Sequence, residues 1–379
     1  MLLAICNLNR QERCREVEQK GALMNVRSRW SLFVSKIMVA GLLLPASSFA
    51  ASCLSGLGYT CRTINDQADN NPPATSTSET FTQLLGINDA GMVAGYYGSG
   101  MDPNHPNRGF TVPNVFAASP AFTHENPSGS TQTQVFGINT AGTTTVGFFQ
   151  DAAGIQHGFV ATNGTTFTTI DDSPGAVTQP VNQLLGLNDH NAAVGFYQDS
   201  VGIFHAYMVT NLGGTPAFTP VGPTNSMATD INNSGQITGF TFTNSTDTAA
   251  NGFLINGATT TLLQFPGSTF TQAFGLNNDG EVVGDYMGTD GLLHGFLYIV
   301  GSGSFVTVDP SGSTATTLNG INDQGDIVGF FMDGGVGGDD IPNTNGLLAT
   351  PVPEPASLGF LGFLAIGFCL AYRARRAHR

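Results

Sequence analysis

Short stretches in which apolar and polar residues alternate recur through residues 59–350, and segments rich in glycine and asparagine separate them. In one of these stretches Val93, Gly95 and Tyr97 occupy every second position. A period of two residues indicates a β-strand with one buried face, whereas an amphipathic helix repeats its apolar positions every 3.6 residues. The pattern therefore predicts an all-β fold built from many short strands and tight turns.

One phrase occurs six times in this region. Its copies are GINDAGMVAGYY from Gly86, GINTAGTTTVGFF from Gly137, GLNDHNAAVGFY from Gly186, DINNSGQITGFTF from Asp230, GLNNDGEVVGDYM from Gly275 and GINDQGDIVGFFM from Gly320. Successive copies begin 51, 49, 44, 45 and 45 residues apart. This spacing is too long for a solenoid coil, and it is typical of a four-stranded propeller blade.

An asparagine organises the turn at the start of each phrase. Three residues after it stands a glycine, or Asn191 in the third copy. In such a turn the asparagine side chain bonds to nearby backbone, and glycine or asparagine tolerates positive φ at the last position. We therefore predict hairpin turns, without a shared catalytic role, at Asn88, Asn139, Asn188, Asn232, Asn277 and Asn322.

A second glycine lies inside the strand that follows each turn, at positions 95, 147, 195, 239, 284 and 329. A glycine within a strand allows a neighbouring group to approach the backbone closely. We expect that neighbour to be an aromatic side chain from the adjacent blade.

The sixth copy ends near residue 350 without a fourth strand. Tyr59–Asp66 has nearly the same aromatic, threonine and isoleucine pattern as Phe167–Asp171, which follows the second copy. We predict that residues 59–66 supply the missing strand and close a six-bladed β-propeller over residues 59–350, because an open ring would expose a sheet edge. Residues 51–58 are expected to be a linker that contributes little to stability.

Composition supports a β fold and restricts the partners. Charged residues make up 11% of the chain and glycine accounts for 49 residues, which is untypical of helical bundles. Residues 51–355 contain 24 acidic residues and only two basic ones, Arg62 and Arg108, so their net charge is about −22. Because this charge repels phosphate groups, we predict that the chain binds no nucleic acid.

Residues 24–50 have the parts of a secretory signal peptide. Arg27, Arg29 and Lys36 precede a short apolar stretch, and small residues precede the expected cleavage after Ala50. Residues 1–23 do not fit this pattern, and we interpret them as an upstream extension from a start codon assigned too early. In an oxidising compartment Cys53 and Cys61 could form a disulfide, with a free pair of thiols as the alternative.

The C-terminal residues 351–379 contain Pro353, Glu354 and Pro355, then an apolar stretch at 358–372, then four arginines. A helix over this stretch would be about 22 Å long, shorter than a bilayer core of about 30 Å. The order of features resembles the PEP-CTERM sorting signal. That resemblance implies processing by exosortase, a membrane transpeptidase, in a bacterium that makes exopolysaccharide. A permanent single-pass membrane anchor is the alternative.

A triplet recurs on the strand after each phrase: Arg108-Gly109-Phe110, His157-Gly158-Phe159, His205-Ala206-Tyr207, Asn251-Gly252-Phe253, His294-Gly295-Phe296 and Asn345-Gly346-Leu347. With these triplets, residues 59–350 resemble the HAF-repeat family of extracellular proteins. The resemblance implies an extracellular location and a repeated β architecture. It implies no activity and transfers no functional residue.

Two features bear on metal binding. His157, His205 and His294 share one register, but they would lie on separate blades, so we expect polar roles at strand edges rather than a common metal ion. Gly334–Ile341 matches one nonapeptide calcium repeat, which in a single copy cannot stack into a β-roll. We interpret this segment as an acidic loop, with Asp339 and Asp340 as the calcium candidates. No other cofactor is predicted.

The sequence contains no nucleophile elbow, zinc-protease motif, phosphate loop or dinucleotide fingerprint. The leading hypothesis is an exported, non-catalytic protein of the cell surface or extracellular matrix that presents loops to a polysaccharide or an envelope protein. A propeller hydrolase or lyase that acts on extracellular polysaccharide is the alternative. A purely structural envelope component is a third hypothesis.

Overall fold

A computed structural model describes residues 51–54, 58–66, 81–98, 105–172, 180–334 and 343–352. These residues form an all-β propeller fold, and none of them belongs to a helix that could cross a membrane. The predicted signal peptide with its cleavage site at Ala50, the sorting motif Pro353–Pro355, the C-terminal helix at 358–372 and the calcium candidates Asp339 and Asp340 lie outside the described residues.

Each of the first five copies of the repeat folds into a four-stranded antiparallel meander, which we call a unit. Unit 1 contains β3 (Thr82–Ile87), β4 (Val93–Tyr97), β5 (Arg108–Val112) and β6 (Thr123–His124). Unit 2 contains β7 (Gln132–Ile138), β8 (Thr144–Gln150), β9 (Gln156–Thr162) and β10 (Thr166–Thr169). Unit 3 contains β11 (Val181–Leu187), β12 (Ala193–Gln198), β13 (Phe204–Thr210) and β14 (Ala217–Pro220).

Units 4 and 5 have the same design, and each is a separate sheet, as is unit 1. Their strands are β15 (Ser226–Ile231), β16 (Ile237–Phe242), β17 (Ala250–Asn256) and β18 (Thr259–Leu263), then β19 (Thr271–Leu276), β20 (Glu281–Met287), β21 (Leu293–Ile299) and β22 (Ser304–Thr307). Units 2 and 3 are joined into one eight-stranded sheet by a parallel pairing of Val181 with Gln156.

The sixth copy contributes three strands and takes its fourth from the N-terminal region. The six-stranded sheet contains β24 (Ala315–Ile321), β25 (Ile327–Met332), β26 (Thr344–Pro351), β2 (Tyr59–Thr63), β1 (Ala51–Leu54) and β23 (Asp309–Pro310), paired in the order β24-β25-β26-β2-β1-β23. Tyr59 lies opposite Pro351 and Thr63 opposite Leu347, in antiparallel register. Strand β2 therefore occupies the place predicted for it.

The expectation of a linker at residues 51–58 is wrong for its first part. Residues 51–54 form strand β1, which pairs with β2 on one side and with β23 on the other. Cys53 is buried in the core of this sheet and forms a disulfide with Cys61 of β2. The additional strand covers backbone groups of β2 that would otherwise form an open sheet edge.

The glycine inside the second strand of each unit has a different neighbour from the one expected. A Cβ atom at Gly95 would lie 2.3 Å from the carbonyl oxygen of Gln83 and 2.9 Å from the ring of Phe110. Phe110 is the aromatic residue of the recurring triplet, and it lies directly opposite Gly95 within unit 1. The close contact is thus made inside each unit, not between adjacent blades, because the triplet strand pairs with the glycine strand.

Candidate functional site

The six repeated asparagines organise their own turns. In unit 1 the Asn88 Oδ1 accepts hydrogen bonds from the backbone N–H groups of Ala90 (3.1 Å) and Met92 (2.9 Å). In all five other turns, too, the asparagine Oδ1 accepts a hydrogen bond from the backbone N–H of the residue four positions after it. The residue three positions after each asparagine has a positive φ, 58° at Asn191 and 68–81° at the five glycines. This is the turn conformation that the sequence predicted.

The same asparagines also join neighbouring units. The side-chain Nδ2 donates to the main-chain carbonyl of the next repeated asparagine, as Asn88 does to Asn139 (3.0 Å), Asn188 to Asn232 (3.1 Å), Asn232 to Asn277 (3.1 Å), Asn277 to Asn322 (3.1 Å) and Asn322 to Asn88 (3.3 Å). Asn139 differs, since its Nδ2 lies 3.4 Å from the Thr143 Oγ1 of its own turn. We call this set of bonds the asparagine belt.

The residue that follows each asparagine forms a second ring, which we call the rim. It consists of Asp89, Thr140, Asp189, Asn233, Asn278 and Asp323. Along most of the rim the backbone N–H of one residue donates to the side-chain oxygen of the next, for example from Asn278 to Asp323 Oδ1 (2.8 Å) and from Asp323 to Asp89 Oδ1 (2.9 Å). The asparagine belt is interrupted between units 2 and 3, and Thr140 and Asp189 connect the two units there. Thr140 donates its backbone N–H to Asp189 Oδ1 (2.8 Å) and its hydroxyl to Asp189 Oδ2 (2.7 Å). The rim is solvent-facing and carries three carboxylates.

The belt and the rim surround a pocket of about 100 Å³, which we call the central pocket. Below the exposed rim, its wall contains the isoleucine or leucine at the second position of each phrase, together with the first residue of four phrases, which are Gly86, Gly137, Asp230 and Gly320. Its floor contains the buried side chains Leu85, Phe136, Leu185 and Phe274, together with the polar residues Thr229 and Asn319. The pocket thus passes from a polar, acidic mouth to a largely apolar floor.

Glycine residues allow the first strands of neighbouring units to approach each other closely around this pocket. A Cβ atom at Gly86 would lie 2.2 Å from the carbonyl oxygen of Phe136 in the next unit, and one at Gly275 would lie 2.8 Å from the Cα atom of Gly320. The first strand of every unit also has a register shift at this point, at Leu84/Gly86 in unit 1 and at equivalent positions in the others. Such irregularities re-aim the backbone next to a site.

Asp230 is the acidic residue in the wall of the central pocket. Its Oδ1 accepts the N–H of Ile231 at 2.8 Å, and its Oδ2 accepts the N–H of Leu276 in the next unit at 2.9 Å. The residue keeps some exposed surface toward the pocket, yet burial among the packed strands raises the pKa of Asp230 to about 6, against the lowering effect of these two bonds. The sequence did not single out this residue.

The three histidines of the triplet do not come together. Each lies beside an aspartate near its own unit, His157 with Asp171, His205 with Asp199 and His294 with Asp309, at 2.7–2.9 Å. Burial lowers the pKa of His294, but its hydrogen bonds with Asp309 and Asp290 outweigh burial and leave the pKa raised. Among the described residues, no group of three His, Cys, Asp or Glu side chains is placed to hold a metal ion. Each of these histidines therefore bonds to an aspartate close to the start of its own strand.

No family model and no curated protein matches this chain. Solved structures with a similar fold include the β-propeller domain of the Trilobed protease from Pyrococcus furiosus (TM-score 0.41, 9% identity, 72% of this chain and 94% of that one). The putative TolB from Agrobacterium tumefaciens has a TM-score of 0.46 and 11% identity, with 78% and 99% coverage. Aleuria aurantia lectin, solved with α-methyl-L-fucoside, has a TM-score of 0.41 and 14% identity, with 75% and 99% coverage. These similarities concern the propeller fold.

Proposed function

We propose that this chain is an exported, non-catalytic binding protein of the cell surface or extracellular matrix, associated with exopolysaccharide and sorted by exosortase. In this proposal the six units are the blades of a closed six-bladed propeller, with the central pocket as its binding site. Two features support the closed ring: β2 completes the sixth unit, and the asparagine belt returns from Asn322 to Asn88.

The observation that carries the proposal of export is the disulfide between Cys53 and Cys61. Such bonds persist in oxidising compartments and are rare in the cytosol. This one lies directly after the expected signal peptide, and it fastens β1 to the strand that completes the last unit. Export and closure of the fold are then coupled, because the ring reaches full stability only where the disulfide forms.

The arrangement of the polar side chains favours binding over catalysis. The repeated asparagines and the triplet histidines serve turns, inter-unit bonds and strand ends. Asp230, which faces the central pocket, is held by two backbone N–H groups rather than by a histidine or a second carboxylate. Activated nucleophiles are paired with a base, and most glycosidases use two carboxylates that flank the scissile bond.

Sorting is tested with the full chain expressed in a Gram-negative host, with and without exosortase. We expect intact-mass spectrometry of the exported protein to show loss of residues beyond the Pro353–Pro355 region only when exosortase is present. Retention of Arg373–Arg379 in both hosts would show a permanent anchor and refute the sorting proposal.

Binding is tested on a glycan array with the exported protein, followed by product analysis of each bound glycan. Binding without turnover is the expected result. Cleavage products would instead support the alternative of a hydrolase or lyase, and absence of any bound glycan would favour a purely structural component of the envelope.

A further inference from the structure

Asp230 breaks the repeat at a position where the strands of neighbouring units pack closely. The other five phrases begin with glycine, at Gly86, Gly137, Gly186, Gly275 and Gly320. A Cβ atom at Gly186, the equivalent residue of the preceding unit, would lie 2.5 Å from the Cα atom of Asp230 and 2.9 Å from its Oδ1. Five copies show that the ring closes with glycine here. The carboxylate of the fourth copy is therefore not required by the turn or by the strand pairing.

The carboxylate has hydrogen-bond capacity left over. Two carboxylate oxygens provide about four lone-pair sites, and the two backbone N–H groups occupy one site on each oxygen. No ion pair to Asp230 occurs within the described ranges. Both basic residues of the body are remote from the pocket lining, and Arg62 donates instead to the carbonyl oxygens of Val115 and Ala117. A partly buried carboxylate without a positive partner favours a cationic ligand.

The rest of the central pocket suits an organic cation better than a metal ion. Phe136 and Phe274 lie in the floor, and aromatic faces attract ammonium groups. Thr229 and Asn319 add polar atoms in the floor; the Thr229 hydroxyl and the Asn319 amide N–H already donate to main-chain carbonyls, which leaves their oxygen atoms as acceptors. A divalent metal ion takes several oxygen ligands, whereas the described residues offer no group of three acidic or imidazole side chains around one point. A volume of about 100 Å³ has room for an ammonium group with a few carbon atoms.

We propose that the central pocket binds a protonated amine, with the carboxylate of Asp230 as its counter-ion, and that an amino sugar of the extracellular polysaccharide presents this amine. The ammonium group enters the pocket, while the sugar ring stays at the rim and bonds to its exposed carboxylates and amides. This inference rests on the proposed binding function and names the ligand class of the same site.

The test uses calorimetric titration of the exported protein with glucosamine, N-acetylglucosamine, glucose and ethanolamine. Glucosamine and ethanolamine carry an ammonium group, whereas N-acetylglucosamine and glucose do not. We expect binding of the two amines and not of the two neutral sugars. Binding of ethanolamine without glucosamine would refute the amino sugar as the source, and equal binding of glucosamine and N-acetylglucosamine would refute the counter-ion role.

Two variants separate this role from a structural one. Asp230→Gly restores the residue of the other five phrases, and Asp230→Asn keeps the side-chain shape and one acceptor oxygen without the charge. Because the negative charge that pairs with the ammonium group is lost, we expect both variants to bind the amines about tenfold more weakly or worse while they still unfold in a single cooperative transition. Unchanged amine binding in a folded variant would overturn the inference. If no amine binds but the glycan array is positive, the inference fails while the proposed function stands.

Discussion

Replacing Asp285 by asparagine should stabilise the protein, and more so as the pH rises. Asp285 lies on β20, at a position that the other copies fill with Tyr96, Phe148, Phe196, Phe240 and Phe330. Its side chain is 1% exposed, and its Oδ2 accepts a hydrogen bond from Thr317 Oγ1 at 2.9 Å. Its Oδ1 has no partner among the described residues, and neither has the Oε1 of Gln272, which lies directly opposite in the strand pairing. Two acceptors without donors suit a neutral carboxyl group better than a carboxylate.

The size of the effect follows from the pKa. Burial raises the pKa of Asp285 from 3.8 to about 7, against the lowering effect of its bond with Thr317. The folded protein then binds this proton more tightly than the unfolded chain does, so the free energy of unfolding is highest below pH 4 and falls as the pH rises through 7. At 1.36 kcal/mol for each pH unit, the part of this loss between pH 5 and pH 8 is about 3 kcal/mol. An asparagine at this position has no such dependence.

Thermal unfolding by calorimetry at pH 5 and pH 8 measures the effect. We expect the melting temperature of Asp285→Asn, relative to that of the unaltered protein, to rise by about 6 °C more at pH 8 than at pH 5. The exposed Asp279→Asn on the turn before β20 is the matched control, for which we expect no such difference. A constant offset between Asp285→Asn and the unaltered protein at both pH values would refute the reasoning, because it would show that the carboxyl group stays in one protonation state.

Three further predictions concern the ring. Replacing Cys53 and Cys61 by serine removes a short covalent loop. We expect the free energy of unfolding to fall by about 2–3 kcal/mol and the melting temperature to fall by about 5 °C in non-reducing buffer. An unchanged melting temperature would show that the disulfide adds no stability. Asn232→Ala removes a turn cap and a bond to Asn277, so it should cost about 2 kcal/mol in urea unfolding, and more than Asn139→Ala, whose side chain does not reach the next unit. Gly239→Ala would place a Cβ atom 2.1 Å from the carbonyl oxygen of Met227 and should cost at least about 2 kcal/mol, whereas Gly213→Ala meets no atom within 4 Å and should change stability by less than about 0.5 kcal/mol.

Features determined by one residue and its immediate neighbours could be predicted from the sequence. The turn at Asn188 is an example, since Asn191 adopts a φ of 58°, close to the 68–81° of the glycines in the other copies. The pairing of β2 with β26 could be predicted as well, because one copy lacks a strand and the N-terminal segment has the matching pattern. In both cases the physical requirement is visible in the residues themselves.

Features that depend on which groups face each other across two strands or two units could not be predicted in the same way. The Nδ2 of Asn232 bonds to Asn277, 45 residues away, but its spacing would be the same if it served only its own turn. The prediction that the close neighbour of Gly95 comes from the adjacent blade is wrong, because the sequence does not give the register between β4 and β5. Strand β1 is not predicted, since its four residues carry too little alternation to distinguish a strand from a linker.

Comparing the six copies of the repeat position by position identifies residues that the fold itself does not require. Asp230 and Asp285 are the same kind of exception in the sequence: the five other copies all place glycine at the position of Asp230 and an aromatic residue at the position of Asp285. In the structure, the carboxylate of Asp285 is enclosed in the core beside Gln272, while that of Asp230 borders the central pocket. Burying a charge destabilises a fold unless a partner compensates, so the stability contribution of both residues should depend on pH, and Asp230, which borders the pocket, should also respond to a ligand. Substitutions at these two positions therefore test the same physical argument by different measurements, with stability as the measurement at Asp285 and binding as the measurement at Asp230.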